Sequence, residues 1–221
     1  VYEDGDWMVV NKPSGIAVHG GSGLSLGLIE AMRVLREDCR SLELCHRIDK
    51  DTSGCVVIAK KRSALRRFHS ALRSKTLKKR YRALVVGRWP TAIDAMNVAL
   101  EKNVLQSGER MVKVSPNGKP SRTLFRIVDK LQGFTVIEAQ PITGRTHQIR
   151  VHTKAAGYPI AGDVKYGVDS VNQQLKRGGR KELFLHAQAV QLPIDDKDFI
   201  NVEAPVPSYW STAIDLLTTT E

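Results

Sequence analysis

The feature of this sequence that most limits its possible folds is an irregular alternation of short strand-like and helix-like segments. Apolar or β-branched strand patterns are expected at Trp7 to Val10, Val56 to Ala59, Tyr81 to Val86, Arg122 to Val128, Phe134 to Ala139, Leu183 to Leu192 and Phe199 to Val202. Helices are expected at about Leu24 to Leu35, Arg62 to Ser74, Thr146 to Ala156 and Ser208 to Leu217. The segments lack the steady βαβ rhythm of a parallel sheet. The sequence therefore predicts an α+β fold with a mixed, largely antiparallel sheet flanked by helices and loops.

The composition is that of a globular protein, since 42% of the 221 residues are hydrophobic and 26% are charged. No apolar stretch approaches the roughly 20 residues that a membrane helix needs, so no membrane association is expected. The three cysteines, Cys39, Cys45 and Cys55, are too few and too irregularly spaced for a disulfide framework. A reducing, cytoplasmic setting is therefore expected.

The first residues, VYEDGDWMVV, read as the inside of a strand and lack an initiator Met. They contain neither the basic region nor the apolar region of a signal peptide. We therefore expect a fragment from which an N-terminal part has been removed.

The positive charge is concentrated in one stretch of the chain. The formal net charge is +11, and Lys60 to Arg88 holds twelve Lys or Arg residues without a single Asp or Glu. A short charge run is usually a solvated helix face, but a long run of one sign repels itself unless a polyanion neutralises it. The sequence therefore predicts that this stretch binds the phosphates of a nucleic acid.

A cluster of polar residues, HRIDKDTSG, runs from His46 to Gly54 and ends directly before an apolar strand. Loops held in this way against a core often carry functional residues. The alternative is an ordinary charged turn in which Asp51, Thr52 and Ser53 cap one another. The segment alone leaves both interpretations open.

A second polar segment, PITGRTHQIRVH, spans Pro141 to His152. Two arginines and two histidines near a helix start favour an anion site, or a partner for a carboxylate such as Asp49. A metal site built on His147 and His152, with His46 or Cys45 added, is disfavoured. Five residues of helix turn two side chains about 140° apart, and no acidic residue accompanies them. No metal is expected.

A third segment, LKKRYRALVVG, runs from Leu77 to Gly87 and places Tyr81 among basic residues. A tyrosine in this setting suits stacking on a base beside a phosphate track. Burial of the ring on one face of a strand is an equally good interpretation from the sequence alone.

Taken together, these segments resemble the RluA-type family of pseudouridine synthases. The resemblance runs almost from end to end, through NKPSGIAVHGGSG, HRIDKDTSG, KKRYRALVVG, GRTHQIRVH, LFLHA and EAP. It implies an enzyme that isomerises uridine to pseudouridine in RNA without a cofactor or a metal. The segments VHGGSG, ALRRFHSALRSK and LQSGERMVKVSPNGKPS are most similar to members acting on large-subunit ribosomal RNA. The expected partner is therefore 23S rRNA, bound before or during ribosome assembly by a monomer, with no DNA partner.

The resemblance also implies roles for individual residues. Asp49, rather than Asp51, matches the family's nucleophile, and Arg150 matches the basic residue paired with that carboxylate. Arg47 matches the residue that replaces the flipped nucleotide in the stack, and Tyr81 matches the tyrosine that packs on the target base and is suspected of accepting the C5 proton. The remaining expected site residues are the pocket residues Leu185, Thr52 and Arg145 and the RNA contacts Lys78, Lys79 and Arg80.

These roles are chemically coherent. A buried carboxylate tends to become protonated, and a planar guanidinium such as that of Arg150 holds it ionised.

The resemblance implies one catalytic domain over residues 1–221, with two lobes sharing one sheet and without the S4-type RNA-binding domain of related members. The alternatives are the same chemistry on another RNA such as tRNA, a non-catalytic RNA-binding module, or a hydrolase that uses Asp49. A hydrolase would usually need a second carboxylate in an acid/base role.

Overall fold

The computed structural model describes residues 1–21, 26–39, 41–104, 110–195 and 197–219, with backbone alone at 103, 104 and 110. This part of the chain forms two compact units, which we call unit 1 (Val1–Lys79 and His186–Pro205) and unit 2 (Arg80–Leu185 and Val206–Glu221). In chain order the elements are β1 (Tyr2–Glu3), β2 (Trp7–Lys12), α1 (Leu28–Leu35), β3 (Glu43–Leu44), β4 (Ser53–Ala59), α2 (Arg62–Arg73), β5 (Lys79–Val86), β6 (Ala95–Val104), β7 (Arg110–Val114), β8 (Lys119–Leu131), β9 (Phe134–Pro141), α3 (Gln148–Ala155), α4 (Asp169–Arg177), β10 (Leu185–Pro193), β11 (Phe199–Glu203) and α5 (Tyr209–Thr218).

Unit 1 is organised around β4, in which all seven residues are buried. Strands β2 and β3 pair with β4 in antiparallel register, and β10 pairs with it in parallel register through His186 opposite Ser53. Helix α2 buries Ala64, Phe68 and Ala71, whose spacing of four and three residues places them on one helix face. The Phe68 ring packs 5.9 Å from that of Trp7 on β2. This core holds β4 and the loop before it in place.

Unit 2 contains an antiparallel sheet in the order β5-β9-β8-β6-β7. Helix α3 lies against β6, β7, β8 and β9. Its residue Val151 packs in a cluster with Leu100, Val112 and Tyr166. No described helix combines the length and the apolar character needed to cross a membrane.

The predicted α+β class and the mixed, mostly antiparallel pairing are confirmed. Helix α2 lies where the sequence placed it, whereas α1 begins at Leu28, after the non-helical Leu26, and the predicted start at Leu24 lies outside the described residues. Helix α3 begins at Gln148 instead of Thr146, because His147 adopts a left-handed conformation with φ of 52°. The sequence did not predict β1, β3, β6, β7 or α4.

Candidate active site

The loop that carries Asp49 is fastened to the turn after β2. Lys12 is fully buried, and its Nζ donates hydrogen bonds to the carbonyl oxygens of Pro13 at 2.9 Å and Lys50 at 2.8 Å. The Ser14 hydroxyl donates to the carbonyl oxygen of Asp51 at 2.7 Å. The two sequence segments NKPSG and HRIDKDTSG therefore form one structure, in which the first fixes the backbone of the second.

The ammonium group of Lys12 also sets the electrostatics of this loop. Its burial lowers the pKa of Lys12 to about 8, although the charges of Asp51 and Asp49 favour its protonated form. The positive charge thus acts on both carboxylates of the HRIDKDTSG loop. Lys12 was not predicted to be functional from the sequence, where its only signal was membership of the NKPSG segment.

The two ends of the HRIDKDTSG loop are tied into the core of unit 1. The backbone amide of Val57 donates to His46 Nε2 at 3.1 Å, and the His46 ring stacks on Phe68 with 5.7 Å between centroids. Burial lowers the pKa of His46 to about 3, so this ring is neutral at physiological pH. At the other end, Ser53 Oγ lies 2.9 Å from His186 Nδ1. The Ser53 side chain therefore binds a neighbouring strand instead of taking part in the capping considered above.

Gly54 closes the loop for a steric reason. Its φ of +106° favours glycine, and a Cβ at this position would overlap the carbonyl oxygen of Ala187 on β10.

Between the two ends of the HRIDKDTSG loop, Ile48 is buried, Asp49 is half-buried and Arg47 is exposed. Thr52 is buried, and its amide donates to the carbonyl oxygen of Asp49 at 3.1 Å. The loop therefore presents Arg47 to solvent while Asp49 stays on a fixed backbone.

In unit 2, Arg150 lies on α3 and is almost completely buried. Its Nε and Nη2 donate to the two carboxylate oxygens of Asp163 at 2.7 and 2.8 Å. Asp163 was not predicted from the sequence, although the glycines at 162 and 167 on either side of it were a signal for a constrained turn.

Three further predicted site residues of unit 2 lie on β5, on β10 and in the loop before α3. Tyr81 is buried on β5 opposite Ala139, and Leu185 is buried at the start of β10. Arg145 is exposed before α3, and its Nε donates to the carbonyl oxygen of Pro120 at 3.1 Å. It lines a cavity of about 360 Å³ whose other basic residues are Lys102 and Lys119.

The basic stretch from Lys60 to Arg88 is less uniform than its sequence indicated. At least four of its twelve cations form ion pairs, namely Lys60 with Glu3, Lys61 and Arg67 with Asp6, and Arg80 with Glu138. Lys79 is half-buried, and burial lowers its pKa. The exposed cations include Arg62, Arg66 and Arg73 of α2 and Lys78 after it. The positive charge of this stretch is thus partly balanced by acidic residues that are distant in the sequence.

The two histidines of the second motif make separate contacts. His147 Nδ1 lies 2.8 Å from the Tyr166 hydroxyl, and His152 Nε2 lies 2.7 Å from the Ser121 hydroxyl. Across the described residues, no three His, Cys, Asp or Glu side chains are grouped so that they could hold a metal ion.

Within unit 1 the structure therefore brings together Arg47, Asp49 and Thr52 on one loop, with Lys78 and Lys79 in the same unit. Unit 2 carries Arg80, Tyr81, Arg145, Arg150 and Leu185.

Comparison with known proteins places this chain in a family. A profile of the family described as RNA pseudouridylate synthase matches residues 6–155. "Ribosomal large subunit pseudouridine synthase C" of Haemophilus ducreyi is 57% identical over 191 residues, which cover 86% of this chain and 60% of that protein. The protein of the same name from Escherichia coli is 50% identical over 209 residues, which cover 93% of this chain and 66% of that protein.

A solved structure, "Human RNA Pseudouridylate Synthase Domain Containing 1", superposes with a TM-score of 0.77 at 26% identity, over 93% of this chain and 82% of that one. The chain thus spans about 60 to 66% of the length of the two curated relatives. The resemblance inferred from the motifs is confirmed, and the chain belongs to the RNA pseudouridylate synthase family.

Proposed function

We propose that this protein isomerises uridines of 23S ribosomal RNA to pseudouridine. The observation that carries the proposal is the 57% identity, over 86% of the chain, to a relative named as a large-subunit pseudouridine synthase. In this reaction the bond from N1 of uracil to C1′ of ribose breaks, a bond from C5 to C1′ forms, and the C5 hydrogen is lost while N1 gains one. The isomerisation needs no net oxidant or reductant, so side chains can supply all of its chemistry.

Asp49 is the proposed nucleophile. The carboxylate must be ionised to attack, and a covalent adduct would retain the separated parts of the nucleotide while the base reorients. The buried ammonium group of Lys12 interacts with the charge of Asp49 and holds the backbone of Lys50, the next residue. Arg150 is the proposed partner of the same carboxylate, because its motif matches that position in the family.

The neighbouring residues have roles in base extraction. Removing a base from a stack costs a few kcal/mol, and a side chain that fills the gap reduces this cost. The exposed Arg47, two residues before Asp49, is suited to fill it. We assign Tyr81 to stacking on the extracted uracil and to accepting its C5 proton, and the buried Leu185 and Thr52 to the wall of the pocket.

We assign the contacts with the RNA backbone to residues on both units. Lys78 is exposed, and it precedes Lys79 and Arg80 at the start of β5. Arg145, Lys102 and Lys119 line an open cavity together with Glu101, and the excess of positive charge there favours a phosphate group. The target strand must be accessible for base extraction, so we propose that the protein acts on the RNA before or during ribosome assembly. We also propose that it acts as a monomer.

The decisive substitution is Asp49→Asn. We expect single-turnover pseudouridine formation by the purified protein on a 23S rRNA transcript to slow by at least about 1,000-fold, because the amide is a poor nucleophile. The dissociation constant for the same RNA should stay within about threefold, because one carboxylate is removed from a predominantly basic surface.

The matched control is Asp51→Asn, which removes the same charge two residues away on the same loop. It should retain most of the activity. Substantial activity of Asp49→Asn would disprove the mechanism. Mapping pseudouridines in total RNA from cells with and without the gene identifies the target, and loss of sites from tRNA alone would show that the 23S rRNA assignment is wrong.

A further inference from the structure

The guanidinium of Arg150 is held from two directions within unit 2. Asp163 accepts hydrogen bonds from Nε at 2.7 Å and from Nη2 at 2.8 Å, so the two planar groups meet edge to edge. The Tyr166 ring lies under the guanidinium, with 5.1 Å from Cζ to the ring centroid. A guanidinium has five N–H donors in one plane. With two of them fixed on Asp163, the direction of the other three is also fixed.

Asp163 is itself held by the backbone around it. Its Oδ1 accepts hydrogen bonds from the amides of Lys165 at 2.9 Å and Tyr166 at 3.0 Å. Its carbonyl oxygen accepts from Asn172 Nδ2 at 2.9 Å. Burial alone would raise the pKa of Asp163, but the hydrogen bonds and the charge of Arg150 outweigh this effect and the pKa lies below its usual range. The carboxylate is therefore a charged and rigid support.

Tyr166 is fixed at its hydroxyl. The amide of Val112 on β7 donates to this oxygen at 2.9 Å, and His147 Nδ1 lies 2.8 Å from it. His147 takes the left-handed backbone conformation directly before α3, which costs energy for a residue other than glycine. The strained residue, the ring and the helix that carries Arg150 thus belong to one network.

We infer that Asp163 and Tyr166 are positioning residues for the isomerisation, which set the direction in which Arg150 presents its remaining donors. The inference rests on the proposed function, in which Arg150 acts on the reacting carboxylate. A long arginine side chain loses considerable rotamer freedom when it is ordered. Asp163 and Tyr166 order the side chain before RNA binds, and misplacement of a catalytic group by about 1 Å can slow a reaction about 100-fold.

A purely structural ion pair is the competing explanation. Removing one member of a buried pair destabilises a protein whatever the pair does for catalysis. Stability alone therefore does not discriminate between the two explanations. A positioning role predicts a loss in the rate of the chemical step at nearly constant RNA affinity, measured on protein that remains folded.

The first test compares wild type with Asp163→Asn. The variant retains the size and one oxygen of the side chain but presents an amide to part of the guanidinium. Single-turnover rates are followed by tritium release from RNA that carries [5-³H]uridine, alongside the RNA dissociation constant and the thermal midpoint. We expect a rate about 100-fold lower, with the dissociation constant within about threefold. A rate within about threefold of wild type in folded Asp163→Asn would overturn the inference.

Tyr166 provides a matched pair if Asp163→Asn does not fold. Tyr166→Phe keeps the ring under Arg150 and removes only the hydroxyl, whereas Tyr166→Leu removes the aromatic face. We expect Tyr166→Leu to be about tenfold slower than Tyr166→Phe at equal RNA affinity, because only Tyr166→Leu loses the cation–π contact with Arg150. Equal rates for the two variants would count against the inference.

A double-mutant cycle tests whether Asp163 acts through Arg150. In an Arg150→Lys background the bidentate pair no longer exists, so adding Asp163→Asn should slow the reaction by less than about threefold. Full additivity of the two effects would show that Asp163 acts by another route. An inactive wild type would instead contradict the proposed function, so the two failures are distinguishable.

Discussion

His152 is a fully buried histidine in which the hydrogen bonds define the protonation state. The Ser121 hydroxyl donates to the carbonyl oxygen of Val98, so it accepts a hydrogen bond from His152 Nε2. His152 Nδ1 is buried and has no hydrogen-bond partner among the residues that the structure describes. A proton added at Nδ1 would bury an uncompensated charge, and burial accordingly lowers the pKa of His152 to about 4.

This arrangement predicts a loss of stability in mild acid. Between about pH 6.5 and about 4 the unfolded chain carries a proton on His152 that the folded chain excludes, so acidification favours unfolding. From pH 7 to pH 5 this histidine should reduce the free energy of unfolding by about 2 kcal/mol. Urea unfolding of wild type and His152→Gln at both pH values measures the difference. As a control, His19→Gln, at an exposed site, should lose as much stability between pH 7 and pH 5 as wild type. If His152→Gln also loses as much stability as wild type over this range, the prediction is contradicted.

Single residues also show where the sequence is informative about the site. Asp49 could be proposed as the nucleophile because its loop matches a family motif and because it precedes an apolar strand. Lys12 and Asp163 could not be identified by composition or periodicity, because their importance comes from contacts with Lys50 and Arg150, distant in the chain. A lysine at a strand end and an aspartate beside a glycine are common in exposed turns, and only the fold reveals that both are buried.

Among the elements, α2 is a charged helix with one side packed on the core and another exposed to solvent. Ala64, Phe68 and Ala71 face the core, and Arg67 pairs with Asp6. Arg62, Arg66 and Arg73 are exposed, and their spacing of four and seven residues places them on a common face. We call these three arginines the α2 stripe.

We expect the α2 stripe to bind RNA phosphates. Changing all three arginines to Gln should weaken RNA binding by about tenfold or more and reduce the slope of log K against log[salt] by about 2 to 3. Fluorescence anisotropy over a salt series measures both quantities. The control changes Lys176, Arg177 and Lys181 of unit 2 to Gln, which removes the same charge from another exposed surface. Equal effects of the two triple variants would show that only the net charge matters.

The elements that the sequence predicted well are those with a clear apolar pattern. Helix α2 has apolar residues at helical spacing, and β4 contains the continuous apolar run from Cys55 to Ala59. Helix α4 was missed because its sequence, DSVNQQLKR, is polar and buries little more than Asn172 and Leu175. The start of α3 was misplaced because His147 adopts a left-handed conformation, and its ring contacts Tyr166, which lies nineteen residues later. Local patterns contain no information about such contacts.

At the scale of the whole molecule, the chain order makes unit 1 discontinuous. Its first segment ends at Lys79, and it is completed by His186–Pro205 after the chain has formed most of unit 2. The late segment supplies Val190, Leu192, Val202 and Ala204 to the same core that contains Cys45 and Cys55. The Cys55 thiol lies 3.7 Å from the carbonyl oxygen of Gln188 on β10. Residues 1–79 therefore lack part of their own core until residues 186–205 are present.

This order predicts that a chain ending at Leu185 leaves unit 1 open. In the intact protein burial raises the pKa of Cys45 to about 12 and that of Cys55 to about 11, so both should react slowly with a thiol reagent at pH 8. Only the half-buried Cys39 should react fast, and a Cys39→Ser variant confirms this assignment by loss of the fast phase. In the shortened chain all three thiols should react at the rates measured for the intact protein in urea. Continued protection of two thiols in the shortened chain would show that Val1–Lys79 forms its core without the late strands.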